Sequence, residues 1–575
     1  MKVAFVNSFD LGENSVPLGI LSLATVMSKV GHEIKVFDFD YYADINKEKT
    51  NSVEQLKQFA YLIMKFNPRV ICFYTMCNSY HKTLLLAKCI KDISSDTKVI
   101  LGGPQATLTA KETLKSFEYV DAIGIGEGEN NIDKIVNAVI NNSYDEVKGI
   151  AYRKDGLICI NNNELIENLD ELPMIDYSFV NIKNINHMPL DVGRGCPYSC
   201  VYCSSKTFWK RKFRIKSNER IIFEIKNIMQ KYGINKFDFV HDLFTANRNK
   251  LIQFCNYLIN EELNINWSCS ARLDTLDEEV ITIMKKAGCS AIYLGIESGS
   301  QKIQKEINKN LDLTKMWYIM KIIKSNNIKT TLSFIYGFPQ ETLDDIRETM
   351  EMIRIATENE LGIIQLHKLS ILPETELFYL YKDKMIRDKE FSDISSSMDL
   401  ELYEDIISNI NLFPQYYKVY IPHMEHLAHL DYFVFKILNI IYRHFNTTYK
   451  ILLEEFEMDL LEIFMYFEKY NSKELSLHRK MDSQNEKEGL IYIIRMISTF
   501  INKHTFKRDL LVKELFKFDY DILCFRLDKN INKCIKKYKV DINSARNNLE
   551  SYNKEEHKMY MLEKYGKYKI HLRTV

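Results

Sequence analysis

At 575 residues the chain is too long for one ordinary hydrophobic core, and three or four domains are expected. Hydrophobic residues make up 46% and charged residues 27%, the balance of a soluble globular protein. Lys plus Arg equals Asp plus Glu at 77 each, so no overall basic field points to nucleic acid. The start "MKVAFVNSFD" lacks the apolar core and cleavage site of a secretory signal. No apolar run approaches the ~20 residues of a membrane span, and "FVFKILNIIY" is interrupted by Lys436. A cytoplasmic protein is expected, whose twelve cysteines are buried thiols or metal ligands rather than disulfides.

Residues 1–140 alternate strand and helix patterns. "KVAFVNS", "HEIKVFDFD", "RVICFYTM", "KVILGG" and "DAIGIGEGE" read as strands, with amphipathic segments such as "LGILSLATVMSKVG" between them. That alternation predicts a doubly wound parallel sheet, a Rossmann-like α/β layer with ligand loops at the strands' carboxyl ends. Those loops carry Ser8, Thr75, "GGPQAT" (102–107) and "GEGEN" (126–130). "GIGEGE" is not a dinucleotide fingerprint, because its glycines follow the last strand and not the first. Alone, the pattern predicts a nucleotide-like ligand and nothing finer.

Residues 141–187 hold a hairpin around "KDG" and then a polar stretch with Pro173, read as a linker between domains. From 188 to 395 a second strand–helix run begins. Its strands are "PLDVGRG", "KFDFVHD", "NINWSCSAR", "AIYLGIESGS", "KTTLSFIYGFP" and "IIQLHKLSIL". Six βα units suit a partial or full TIM-type barrel, whose chemistry sits where strands end. Residues 396–575 carry long amphipathic patterns such as "KILLEEFEMDLLEIFMYFEKY" and predict an all-helical C-terminal domain. Its last fifty residues hold thirteen Lys and Arg against six Asp and Glu. A solvated helical face is the plainer account of that excess, and an acidic partner the sharper one.

The first strand of the second run leads into "DVGRGCPYSCVYCSS", where Cys196, Cys200 and Cys203 fall four and then three residues apart. A structural zinc site wants four ligands, and only His187 and His241 lie anywhere near. A [4Fe–4S] cluster has four iron corners. Three thiolates on one short loop would hold three of them and leave the fourth open to an outside ligand. The spacing weighs strongly for a cluster, with zinc as the alternative.

"CPYSCVYC" matches the CxxxCxΦC motif, and the chain resembles the radical S-adenosylmethionine (SAM) superfamily. "RIKSNERIIFEI", "FVHDLFTANRNK" and the long "WSCSARLDTLDEEVITIMKKAGCSAIYLGIESGSQKIQKEINK" are similar to family segments in barrel order, with His241 where relatives carry Asp. The resemblance implies a [4Fe–4S] cluster on Cys196, Cys200 and Cys203, with SAM on the open iron. It implies SAM contacts at Tyr202, at Glu297 and Ser298 in "ESGS", and at Gly337 in "FIYGFPQET". "LPETEL" departs from the family's "PGTEL". "VPLGILSLATVMSKVGHEIKVFD", "VILGGPQAT" and "DAIGIGEGENN" resemble the cobalamin-binding domain that precedes many of these barrels. That likeness implies cobalamin held by Ser8, Pro17, Gly19, Thr75, Gly102, Gly103, Gln105, Gly126, Glu127 and Gly128. No D-x-H-x-x-G occurs in this domain, so no histidine is expected as lower ligand, and Gln105 stands where many relatives have histidine.

The activity implied is methylation of an unactivated carbon, on a small-molecule, lipid or peptide substrate, with an electron donor such as flavodoxin or ferredoxin. Cyclisation or rearrangement without methyl transfer is the alternative. A tRNA methylthiotransferase fits less well, because charge is balanced and no small basic β-barrel is expected. A non-catalytic cluster protein fits least. Four further features each have a plain and a sharp reading. Arg272 reads as a SAM or substrate contact or as a barrel salt bridge, and Asp242 as a SAM contact or a helix cap. Lys206, Lys210, Arg211, Lys212 and Arg214, interleaved with Phe208, Trp209 and Phe213, read as a solvated loop or as a lid or reductase-docking face. His423, His426 and His429 spread too widely round an α-helix for one metal site.

Overall fold

The computed structural model describes residues 1–7, 16–39, 41–42, 53–183, 185–388, 403–457, 459–480, 486–527, 533–547, 558–565 and 569–574. They form two compact units, Met1–Ile296 with Gln304–Thr331 and Leu369–Tyr420, and Glu297–Ile303 with Leu332–Lys368 and Ile421–Val575.

In the first unit, β1 (Lys2–Asn7), β2 (Glu33–Asp38), β3 (Val70–Tyr74), β4 (Lys98–Gly102) and β5 (Ala122–Gly124) form a parallel sheet in the order β2-β1-β3-β4-β5. Alternate residues face opposite sides, as strand geometry requires. Val3 and Phe5 pack under the helices Leu18–Lys29 and Ile132–Asn141. Ala4 and Val6 pack under Val53–Met64, Tyr80–Ile93 and Ala110–Ser116. The strand order reverses between β1 and β3, the crevice where such sheets bind ligands.

The hairpin expected at "KDG" forms. Asp155 and Gly156 both take positive φ, 51° and 76°, as a two-residue turn with the right twist demands. Its strands, β6 (Ile150–Lys154) and β7 (Leu157–Asn161), are not a free linker, because they extend the first sheet antiparallel from β5. Ile150, Ala151 and Tyr152 are buried there and cover what would be an open edge.

The second strand–helix run starts with β8 (Met188–Asp191), β11 (Lys236–Val240), β12 (Asn266–Ala271) and β13 (Cys289–Glu297), side by side and parallel in that order. Between β8 and β11 a small ladder forms, β9 (Gly193–Arg194) against β10 (Arg214–Ile215). The chain continues into the second unit through β14 (Lys329–Tyr336) and β15 (Ile363–Lys368), completing the βα repeat of a partial barrel.

A hairpin of β16 (Met385–Arg387) and β17 (Tyr417–Val419) belongs to the first unit. Beside it, Tyr403, Ile407, Leu412, Phe413 and Tyr416 are buried in the same core as Ala4, Phe73 and Tyr80. In the second unit the long helices Leu460–Lys480, Glu486–Lys503 and Asp509–Leu527 agree with the helical expectation. The chain then adds strands that periodicity did not show, β18 (Lys533–Tyr538), β19 (Lys558–Tyr565) and β20 (Lys569–Thr574), in an antiparallel sheet. Among the described residues no helix is long and apolar enough to cross a membrane.

Candidate active site

The three cysteines lie on the loop 195–213, closed at its base by the β9–β10 ladder. Gly195 has φ 89°, and a Cβ there would lie 1.9 Å from the Lys212 carbonyl oxygen on the facing arm. Only glycine lets the two arms approach so closely. Asp242, just past β11, accepts hydrogen bonds from Gly195 N–H (2.9 Å), Ser205 Oγ (2.7 Å) and Trp209 Nε1 (3.1 Å). One carboxylate thus ties together the residues flanking Cys196 and Cys203. It caps no helix: the next one, Arg248–Asn260, is capped by Asn247.

The far side of the loop is held by main chain. Val201 N–H donates to the Ile307 carbonyl at 3.1 Å, and Leu377 N–H to the Val201 carbonyl at 3.1 Å. Asn308 Nδ2 donates to the Ser199 carbonyl at 3.1 Å. Tyr202, half-buried, has its hydroxyl 3.5 Å from Lys309 Nζ. His241 is buried and accepts from Leu243 N–H on Nδ1, with Nε2 3.2 Å from the Arg214 carbonyl. Burial lowers its pKa to about 4, so the neutral ring serves as a strut.

All twelve cysteines carry free thiols. Cys200 is buried, while Cys196 and Cys203 are half-buried. Burial pushes the Cys203 thiol up to about 12 and the Cys196 thiol upward, with a smaller upward push on both from the neighbouring sulfurs. All three thiols are carried by this one loop. Among the described residues no three His, Cys, Asp or Glu side chains are grouped as ligands of a single ion. A cluster asks for a different arrangement, one thiolate to each of three irons, and a loop presenting three thiols fits it.

Two of the expected cobalamin loops are locked to each other. Thr75 Oγ1 donates to the Gly102 carbonyl (2.8 Å) and accepts from Ala106 N–H (3.0 Å). Gly103, at φ 98°, leaves no room for a Cβ, which would fall 2.8 Å from the Thr75 carbonyl oxygen. Gln105 is buried, its amide donating to the Leu412 carbonyl at 2.7 Å. Pro17 and Gly19 open the helix Leu18–Lys29, and a Cβ on Gly19 would touch the Tyr74 ring at 3.4 Å. A Cβ on Gly128 would lie 3.1 Å from Leu23. Gly126, at φ 69°, turns the third loop, which Asn163 Nδ2 holds through the carbonyls of Ile125 and Glu127. Ser8 lies outside the described residues.

These loops bring close-packed glycine backbone to the strand ends, the kind of surface that lets a ligand approach main chain. It is a glycine-lined cradle at the strand ends, beside the buried Asn7, whose Oδ1 lacks a hydrogen-bond partner among the described residues.

Sequence reasoning did not find the ion network beneath this cradle. The Glu127 carboxylate binds Arg194 Nη1 and Arg214 Nη1, both at 2.7 Å, and Ile166 N–H at 2.9 Å. Glu129 takes Arg194 Nη2 (2.7 Å) and Ser22 Oγ (3.0 Å), and Asp191 also reaches Arg194 (3.0 Å). Arg194 lies two residues before Cys196, so the cobalamin-type loop is joined to the base of the cysteine loop. Its members stood in the quoted motifs, Glu127 and Glu129 in "GEGEN", Asp191 and Arg194 in "DVGRGC" and Arg214 in "RIKSNER".

Arg272 forms a salt bridge with Asp274, at 2.9 and 2.8 Å, one of its two readings. Much of the basic run is engaged within the molecule. Lys206 meets Glu376, Lys210 the Asn163 carbonyl, Arg211 the Pro197 carbonyl, and Lys212 meets Glu167.

In the second unit, Glu297 holds φ 69° at the end of its strand, a strained state for a side chain with a Cβ. Ser298 is buried, 3.3 Å from Thr349 Oγ1, and accepts from Ser300 N–H at 3.1 Å. Gly337, at φ 93°, donates its N–H to Glu341 Oε2 at 2.6 Å. His423 meets the Glu341 carbonyl (2.9 Å) and His429 meets Ser476 (3.2 Å), each a hydrogen bond to a non-metal partner.

The chain matches the family model described as the Radical SAM superfamily over residues 190–353, and that of the B12 binding domain over residues 8–136. It is similar to an uncharacterized methyltransferase of Pyrococcus horikoshii, 30% identical over 380 residues that cover 64% of this chain and 79% of the relative. It is also similar to the anaerobic magnesium-protoporphyrin IX monomethyl ester cyclase of Rubrivivax gelatinosus, 28% identical over 375 residues, covering 62% of this chain and 66% of that one. In fold it is similar to the cobalamin-dependent SAM radical enzyme OxsB, solved with aqua-cobalamin and SAM bound. The TM-score is 0.59 at 15% identity, over 91% of this chain and 79% of that chain.

Proposed function

Because the chain belongs to the radical SAM superfamily and carries a B12 binding domain, we propose that it is a cobalamin-dependent radical SAM enzyme that methylates an unactivated carbon. The observation that carries this reading is the three-thiol loop tied by hydrogen bonds and ion pairs to a glycine-lined cradle at the strand ends of a B12-type sheet. Cys196, Cys200 and Cys203 would hold a [4Fe–4S] cluster. Tyr202, Glu297, Ser298 and Gly337 would contact SAM. Pro17, Gly19, Thr75, Gly102, Gly103, Gln105, Gly126 and Gly128 would line cobalamin, with Ser8 beside them. Glu127, its carboxylate engaged by two arginines, would serve cobalamin through its backbone and its place in the loop. When bound, these groups supply one-electron cleavage of SAM to a 5′-deoxyadenosyl radical and a transferable methyl group.

The chain's own part is to hold and to shield. The Asp242 bonds keep the cysteine loop closed, and the network around Arg194 holds the neighbouring loop of the cradle at a set distance. The substrate would be a small molecule, lipid or peptide, with a flavodoxin or ferredoxin as electron donor. The cytoplasm is the compartment proposed, supported by twelve free thiols. Radical chemistry without methyl transfer is a second reading, supported by the similarity to the cyclase.

Anaerobic reconstitution with iron and sulfide, followed by SAM and reductant, tests the proposal. The wild type is expected to release 5′-deoxyadenosine and Cys203→Ala to release none; equal yields would remove the cluster assignment. Purification with hydroxocobalamin is expected to leave about one corrin per chain by visible absorbance, and no bound corrin would remove the methyltransferase reading.

A further inference from the structure

We propose that Arg272 raises the reduction potential of the cluster by donating an N–H···S hydrogen bond to Cys200; the inference rests on the cluster reading above. Arg272 follows β12 directly and is 6% exposed. Its guanidinium is fixed from four directions. Nε and Nη2 hold the two oxygens of Asp274, and Nη2 also donates to the Lys309 carbonyl at 2.7 Å. The Tyr198 ring, between Cys196 and Cys200 in sequence, lies beneath it with its centroid 3.7 Å from Cζ. Nη1 then stands 3.8 Å from Cys200 Sγ.

With three of its five N–H groups occupied the planar fork is held in place, and the two that remain are both on Nη1, the nitrogen that faces the sulfur. Among the described residues, Cys200 is the thiol of the three with a cationic side-chain donor.

Hydrogen bonds to cluster sulfurs and local charge are levers on a cluster's potential. One electron from a low-potential external reductant adds one negative charge to the cluster. A cationic donor on a ligand sulfur binds the reduced state more strongly than the oxidised one, so the potential rises. Arg272 is by this account a positioning and tuning residue. It touches a ligand of the cluster and not the reacting carbon.

The test compares wild type, Arg272→Lys and Arg272→Met, reconstituted anaerobically, with iron and sulfide counted for each. The reduced-cluster signal is followed by electron paramagnetic resonance through a redox titration without SAM, so a lost SAM contact cannot imitate the shift. At the poise where half the wild-type cluster is reduced, the reduced-to-oxidised ratio in Arg272→Met is expected to fall at least tenfold, about 59 mV for a one-electron couple. Arg272→Lys, which keeps the charge but loses the fork, is expected between the two. Equal midpoints in all three would overturn the inference. If Arg272→Met fails to load a cluster, the comparison passes to Arg272→Lys, and a midpoint equal to wild type overturns it. Absence of a cluster in wild type would instead overturn the reading on which it rests.

Discussion

Asp242 accepts from Gly195, Ser205 and Trp209, and so bridges both flanks of the cysteine loop with one carboxylate. Bonds of an exposed carboxylate each contribute roughly 1 kcal/mol or less, and their loss here falls on the geometry of the thiols. Asp242→Ala is expected to keep its far-ultraviolet circular dichroism while retaining less than half the wild-type iron after desalting. Glu341 is the second residue with a measurable consequence. It is 1% exposed, its Oε1 lacks a hydrogen-bond partner among the described residues, and burial raises its pKa from 4.5 to about 8. The folded chain therefore keeps a proton that the unfolded chain has released above pH 4.5, and stability falls as pH rises from 4.5 through 8. Glu341→Gln is expected to remove that fall. The urea midpoint of the variant relative to wild type should rise between pH 5.5 and 8.5, and a constant difference would contradict the assignment.

Among the elements, the segment 403–417 shows how a short piece of chain can matter more than its periodicity suggests. Its apolar residues join the first unit's core, Phe413 at 0% exposure with its ring 5.6 Å from Tyr80. Its polar contacts reach two of the expected cobalamin loops, Gln105 to the Leu412 carbonyl and Gln415 to the Cys77 carbonyl. Truncating a buried aromatic costs about 3–5 kcal/mol. Phe413→Ala is therefore expected to lower the denaturation midpoint of the first unit, followed by an amide hydrogen-exchange probe on β3 and β4. The β-strands of the first sheet were legible because apolar residues crowd their short runs. The segment 403–417 was not, since its partners lie about 300 residues earlier and no local pattern encodes them. The last three strands were obscured for another reason: Lys-rich β18 alternates in burial only because Asp521 and the following strand pair with it.

For the whole molecule, the division into units cuts across the order of the chain. The first unit takes pieces from three stretches and the second takes three others, so no linear boundary describes either. Three cysteines at spacings of four and three pointed to an iron–sulfur cluster, and the resemblance of the surrounding segments to the radical SAM superfamily implied the rest. That chemistry depends on residue type and short spacing, which a sequence states directly. What "DVGRGCPYSCVYCSS" withheld was its support: Asp242 closing the loop, Glu127 and Glu129 gripping Arg194, and Arg272 aimed at Cys200. Those partners are 37 to 72 residues away, and which carboxylate or guanidinium arrives at a given sulfur or amide is decided by strand register and helix packing. The sequence alone determined the three thiols, the alternation of strand and helix and the family resemblance. Tertiary structure decided what holds them still, because burying a charge is tolerated only where packing has already delivered its counter-charge.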